Sequence, residues 1–256
     1  MSYWTDKVVM ITGASSGIGR GVALEVAARG AMVGLMARRE DLLHELVDEI
    51  TRRKAKTSIA VADVRDTAAV KAAADRFREE LGPIDVLIAN AGVGTSDHAL
   101  QLKPENAERV IGTNVLGAVN SVAAVLPAMV ERGQGRLVAI SSLAAYRGLP
   151  KSAAYSASKA ALTAYFESVR IDLRNSGVGV TIIHPGFIKT AITAGREAKM
   201  PYLMELDDAV KKIVKAIEKE KKSYAFPWQL ATFVRAGLLM PPGMYDWIAE
   251  RNSFRE

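Results

Sequence analysis

The chain of 256 residues contains no cysteine. Disulfide bonds, thiolate nucleophiles and zinc–thiolate centres are therefore excluded. No run approaches the ~20 consecutive apolar residues of a membrane span. Met1 to Lys7 carries no apolar signal region, because the first apolar run begins at Val8 and breaks at Thr12. A cytoplasmic protein is the expectation. Repeats, low-complexity segments and linkers are also missing, which leaves residues 1–256 as a single domain. Only three histidines occur. His184 has no second histidine or carboxylate pattern near it, so a buried structural role is favoured over a base, and no metal is expected. The 34 Lys and Arg outnumber the 28 Asp and Glu, a net charge of +6. Apart from 211–222 the cations are scattered, which suits a phosphate-bearing small molecule better than nucleic acid.

What is present begins with strand, glycine turn and helix. Val8-Val9-Met10-Ile11 is an apolar run fit for a buried parallel strand. Thr12-Gly13-Ala14-Ser15-Ser16-Gly17-Ile18-Gly19 follows, and Arg20 to Gly30 then keeps apolar residues at helical spacing. In that context Gly13 allows a sharp turn, Gly17 lets backbone approach a pyrophosphate, and Gly19 lets helix pack on strand. The N–H groups and dipole at the helix start favour the anion, with Ser15, Ser16 and Ile18 in the same turn.

A second strand, Ala31 to Met36, runs into Ala37-Arg38-Arg39. An acid about twenty positions past the glycine turn binds a ribose 2′-hydroxyl, whereas arginine accommodates a 2′-phosphate. No acid stands there, and Arg38 can grip the phosphate with two hydrogen bonds, so NADP(H) is favoured over NAD(H). For Arg39, opening the solvent face of the next helix (Glu40 to Lys54) is an even alternative. Thr57 to Ala62 is a third strand with Asp63-Val64 at its end. Asp63 either meets an adenine, which is preferred, or caps the helix near Thr67. Pro83 to Ala89 is a fourth strand, and Asn90-Ala91-Gly92 after it would let a nucleotide lie flat over the strand ends.

Pro104 to Arg132 reads as one long helix, only mildly interrupted by Gly112 and Gly117. Asn114 lies within it, and a buried amide there needs a partner, most simply the backbone. Gly135 to Ile140 is a fifth strand ending in Ser141-Ser142. Tyr155 and Lys159 then sit at i and i+4 near the start of a helix that runs to Asn175, so an ammonium shares a face with a phenol. A phenol with pKa about 10 is a poor acid at neutral pH; a neighbouring cation stabilises the phenolate and makes proton exchange with a substrate oxygen practical. Ser142 offers a hydroxyl for the same oxygen.

Taken together, the sequence resembles the short-chain dehydrogenase/reductase family in its compact, single-domain branch. The matching motifs are Thr12-Gly13-x3-Gly17-x-Gly19, Asp63, Asn90-Ala91-Gly92, Asn114, Ser142, Tyr155-x3-Lys159 and Pro185-Gly186-x3-Thr190, in the family's order over roughly residues 5 to 195. The resemblance implies Tyr155 as proton donor or acceptor and Ser142 as the residue orienting the carbonyl. Lys159 would lower the tyrosine pKa and hold the nicotinamide ribose, and Asn114 would anchor a water in the relay to Lys159. Asp63 would bind adenine, Asn90 to Gly92 would line the cofactor, and Ile188 with Thr190 would meet the nicotinamide end. Family spacing selects Ser142 over Ser141.

The expected fold is a doubly wound, mostly parallel sheet of about seven strands with helices on both faces. Val178 to His184 is the sixth strand, ended by Pro185-Gly186. Residues 187–206 are expected to form a substrate lid, Leu206 to Lys222 a helix with a solvated lysine face, and Ser223 to Phe226 an edge strand. The extension 227–256 carries an apolar stripe of Trp228, Leu230, Phe233, Val234, Leu238 and Leu239. It can wall the pocket, pack on a second subunit, or, least favoured, lie on a membrane surface. The expected activity is NADP(H)-dependent interconversion of a ketone or aldehyde and an alcohol, by a homodimer or homotetramer. The alternative is a catalytically silent NADP-binding regulatory or interaction protein of the same fold.

Overall fold

Apolar runs buried on both sides make the strands of a parallel sheet. The computed structural model describes residues 2–53, 55–190, 193–194 and 200–251. Its strands are β1 (Val8–Thr12), β2 (Met32–Ala37), β3 (Thr57–Val61), β4 (Ile84–Ala89), β5 (Gly135–Ile140), β6 (Val178–Pro185) and β7 (Ser223–Phe226). They form one sheet in the order β3-β2-β1-β4-β5-β6-β7, and every named pair is parallel. The helices are α1 (Gly17–Ala28), α2 (Glu40–Thr51), α3 (Thr67–Leu81), α4 (Pro104–Ile111), α5 (Gly117–Glu131), α6 (Ala153–Asp172), α7 (Leu206–Glu218), α8 (Trp228–Gly237) and α9 (Pro242–Arg251).

Alternation along each strand feeds two cores. Val9 and Ile11 of β1 join Val22 and Val26 of α1, Leu43 and Leu46 of α2, and Ile213 and Val214 of α7. Val8 and Met10 face the other way, onto Val70 and Phe77 of α3, Val122 of α5 and Phe166 of α6. The sheet is thus sandwiched as expected. Its direction of winding reverses between β1 and β4, and the crevice over the strand ends there is where such sheets bind ligands.

The long helix expected over 104–132 is instead α4 and α5 joined by a π turn, Gly112–Leu116. Asn114 sits in that turn, its side-chain amide bonded to the main chain of Val93 and to the Ser158 hydroxyl. The continuous stretch Pro104–Glu131 has the length and hydropathy to cross a membrane, although it holds no unbroken apolar run of that length, and nearly half of its most apolar window is buried within the fold. Helix α2 ends at Thr51, short of the expected Lys54, which lies outside the described residues. Helix α7 ends at Glu218 rather than Lys222, the chain turning through Glu220 at a positive φ of 51°.

Candidate active site

The glycine turn is shaped by close contact with the end of β4. Gly13 has a φ of 67°, and a Cβ there would stand 2.8 Å from the Cα of Ala91. A Cβ on Gly19 would meet the Asn90 side chain at 2.4 Å. Asn90 Nδ2 donates to the carbonyls of Thr12 (3.0 Å) and Gly13 (3.2 Å), while Thr12 Oγ1 accepts from the amides of Asn90 and Ala91. Ser16 precedes α1 without a side-chain capping bond, which leaves the first-turn N–H groups for an anion.

These elements border a crevice of about 300 Å³. Gly13, Ser15, Ser16, Gly17, Ile18, Arg38, Arg39, Asp63, Val64, Asn90, Ala91, Gly92, Tyr155, Lys159, Pro185, Gly186, Ile188 and Thr190 all line it, as does Ser142. Gly19 and Asn114 stand behind the lining, Gly19 against Asn90 and Asn114 against Gly92. Ala37, Ala62, Val93, Thr113 and Thr193 also line the crevice. Sequence reasoning missed them because Ala37, Ala62 and Val93 carry no chemical signature, and Thr113 and Thr193 stand in no motif that sets them apart from other hydroxyl residues.

The two arginines after β2 part company. Arg39 Nη2 donates to Ser15 Oγ (3.0 Å) and Ser16 Oγ (2.7 Å), so it reaches back over the glycine turn while staying exposed to solvent. Arg38 lies 3.6 Å from Asp63, whose carboxylate is held more closely by Arg65 at 2.8 Å. Hydrogen bonds from Arg65 hold the Asp63 carboxyl below its ordinary range. Asp63 does not cap α3; Asp66 does, accepting from the amide of Ala69 at 3.0 Å.

Lys159 is buried and donates from Nζ to the carbonyl of Ile140 at 2.8 Å. Its ammonium stands 5.8 Å from the centre of the Tyr155 ring. Burial pushes the Lys159 pKa down to about 8. Asn114 Oδ1 accepts from the Val93 amide (2.7 Å), and its Nδ2 donates to the Val93 carbonyl and to Ser158 Oγ (both 2.9 Å). A Cβ on Gly92 would lie 3.4 Å from both Asn114 Oδ1 and Lys159 Nζ, so these groups converge on one bare stretch of backbone. Ser141 also lines the crevice, but its hydroxyl lies against α6, 3.1 Å from the Lys159 carbonyl and 2.8 Å from Thr163 Oγ1. Ser142 Oγ accepts from the Ala144 amide at 3.1 Å, which leaves its own O–H to donate. His184 is buried, with Nδ1 3.4 Å from the Ser142 carbonyl and its ring beside Tyr146; burial pushes its pKa down to about 4.

A second cavity, about 420 Å³, opens beside the first. Ser142, Tyr155, Gly186 and Thr193 line both. Its outer wall is the C-terminal extension, including Leu230 and Phe233 of α8 and Tyr245 and Ile248 of α9. Leu230 and Ala231 form a small core with Leu143 of the loop after β5. No cluster of three or more His, Asp or Glu side chains suited to a metal ion occurs among the described residues.

Residues 7–201 match the short chain dehydrogenase family. The chain is 44% identical to an uncharacterized oxidoreductase of Myxococcus xanthus, over 98% of either chain. A short chain dehydrogenase/reductase from Burkholderia phymatum, solved in complex with NAD, superposes with a TM-score of 0.84 at 27% identity, covering 92% of this chain and 94% of that one. An alcohol dehydrogenase from the archaeon Thermococcus sibiricus, complexed with 5-hydroxy-NADP, gives 0.78 at 26% identity over 86% and 95%. With its glycine turn at the winding switch of a seven-stranded parallel sheet and its Tyr155–Lys159 pair above the strand ends, the chain belongs to the short-chain dehydrogenase/reductase family.

Proposed function

We propose that the protein is an NADP(H)-dependent oxidoreductase that interconverts a ketone or aldehyde and an alcohol. The observation that carries this reading is that Ser142 and Tyr155 stand at the junction of the two cavities, one suited to a dinucleotide and one to a substrate. The crevice fits a dinucleotide: bare backbone at Gly13 and Gly17, uncapped amides at the start of α1, and arginines at the far end. Bound there, the nicotinamide would supply a hydride to the carbonyl carbon, or take one from the alcohol.

The chain's own groups handle the oxygen. In the reducing direction Tyr155 gives its phenolic proton to the carbonyl oxygen as the C–H bond forms, while the Ser142 hydroxyl donates to the same oxygen. The ammonium of Lys159 stabilises the resulting phenolate, and Asn114 would hold a water that returns the proton through Lys159. At the other end Arg39, already across Ser15 and Ser16, and Arg38 form a two-guanidinium receptor for the 2′-phosphate, with Asp63 and Val64 beside the adenine. A carboxylate at either arginine position would repel that phosphate.

Segment 187–206 serves as the lid in this reading. Its base is closed by paired backbone bonds, Lys189 N to the Met204 carbonyl and Met204 N to the Phe187 carbonyl, each 3.0 Å. Residues 191–192 and 195–199 lie outside the described residues. A cytoplasmic homodimer or homotetramer completes the proposal. Exposed Leu116, Val130 and Ile171 on and beside α5 and α6 support an assembly through those helices.

The test is a cofactor titration with NADPH and NADH beside a panel of carbonyl substrates. The reading expects tight NADPH binding and NADPH oxidation with at least one class. Binding without turnover across the panel would instead favour a silent nucleotide binder.

A further inference from the structure

We propose that the substrate is an uncharged, hydrocarbon-rich carbonyl or alcohol compound, whose body fills the cavity under α8 and α9 with its reacting carbon at Ser142 and Tyr155. This rests on the oxidoreductase reading above and names its substrate class. The volume, about 420 Å³, is that of sites which enclose a small organic molecule. Its walls include Leu143, Phe187, Leu230, Phe233, Val234 and Ile248.

Arg147 bears the only charged side chain among the described lining residues, and its Nη1 is bonded within the fold. Nη1 donates to the carbonyls of Gly237 and Met240, between α8 and α9, and the guanidinium lies 4.0 Å over the centre of the Tyr245 ring. Tyr245 in turn donates from its hydroxyl to the Gly148 carbonyl at 2.6 Å. Arg147 and Tyr245 therefore fasten the extension to the loop that carries Ser142, with the guanidinium held between main-chain carbonyls and an aromatic face. The cofactor crevice, by contrast, gathers Arg38, Arg39 and Asp63. A charged or many-hydroxylated substrate would exchange its water for carbon walls, at a cost that binding would have to overcome. An alkyl chain gains from the same walls, about fourfold in affinity for each buried methylene.

The experiment uses the full-length protein with its cofactor and a series of 2-alkanones from 2-butanone to 2-decanone. Turnover and binding, the latter by calorimetry, are both measured. 9-Oxodecanoate serves as the charged counterpart of 2-decanone, and glucose as a hydroxyl-rich carbonyl. Affinity and kcat/KM should rise about fourfold per methylene over several carbons. The terminal carboxylate should lower both by at least tenfold. Phe233→Asp, at a wall position half open to solvent where the fold tolerates a charge, should flatten the series. Binding of 2-decanone no tighter than 2-butanone, or preference for 9-oxodecanoate or glucose, would overturn the substrate class. Chain-length-dependent binding without turnover would uphold the cavity assignment while refuting the oxidoreductase reading.

Discussion

The ammonium of Lys159 sits one helical turn from Tyr155, 5.8 Å from the centre of its ring, and is anchored on the carbonyl of Ile140 at 2.8 Å. In the proposed mechanism a cation fixed there would serve the phenolate, but burial makes it costly to the fold. Its pKa falls from the ordinary 10.5 to about 8. A depressed pKa contributes stability in full above 10.5 and loses it as pH falls through 8, so at neutral pH the charge destabilises.

Lys159→Met should therefore abolish turnover yet stabilise the cofactor-free protein at pH 7. The gain is about 2 kcal/mol once the lost bond to Ile140 is subtracted. It should shrink as pH is raised from 8 toward 10. Denaturant midpoints at pH 7 and 10 check this, and a Lys159→Met protein less stable at pH 7 than the parent would contradict it.

Cofactor choice is the second prediction. Arg38→Asp should weaken NADPH by about tenfold and shift preference toward NADH, since a charge-assisted bond is lost and a repelling charge gained. Arg39→Ala, which also gives up Ser15 and Ser16, should weaken NADPH further in the double variant. Fluorescence titration with both cofactors measures it. An unchanged NADPH/NADH ratio in the double variant would remove both arginines as determinants.

His184 gives an acid limit. Its pKa is lowered from 6.5 to about 4, so its contribution to stability is complete above pH 6.5 and is lost as pH falls through 4. About 3 kcal/mol should disappear over that interval. His184→Gln should lose less stability than the parent between pH 7 and 4. Parallel pH–stability curves for the two proteins would show that His184 does not set the limit.

Much of this architecture is legible in the chain. Strands such as Val8 to Ile11 are apolar on both faces, and that alone demands helices on either side. The glycine turn stands out because Gly13 and Gly19 are forced by contacts with Asn90 and Ala91. Serine 142 could be told from Ser141 only by family spacing; the structure adds that Ser141 is spent on α6. Other features depend on contacts far apart in sequence. Arg39 rather than Arg38 reaches the turn because Ser15 and Ser16 lie beneath it, 24 and 23 residues earlier. Within the apolar stripe over α8, only the fold shows that Leu230 and Val234 pack on the loop at Leu143, about ninety residues upstream, while Trp228, Phe233, Leu238 and Leu239 stay exposed.

Truncation after Phe226 follows from that arrangement. No residue beyond Thr193 lines the cofactor crevice among the described residues, so NADPH affinity should change by no more than about twofold, within the scatter of a remote change. Turnover should fall sharply, because the outer wall of the substrate cavity is gone, and thermal stability should drop with the loss of Leu230 and Ala231 from their core. Unchanged turnover and stability would show that the extension does neither job.

The most direct test is Tyr155→Phe, which removes one hydroxyl and leaves the ring. Steady-state NADPH oxidation with the best carbonyl substrate should fall by at least three orders of magnitude, while NADPH affinity stays within about threefold of the parent. Turnover retained within tenfold would mean that another group supplies the proton, and the proposed mechanism would be wrong.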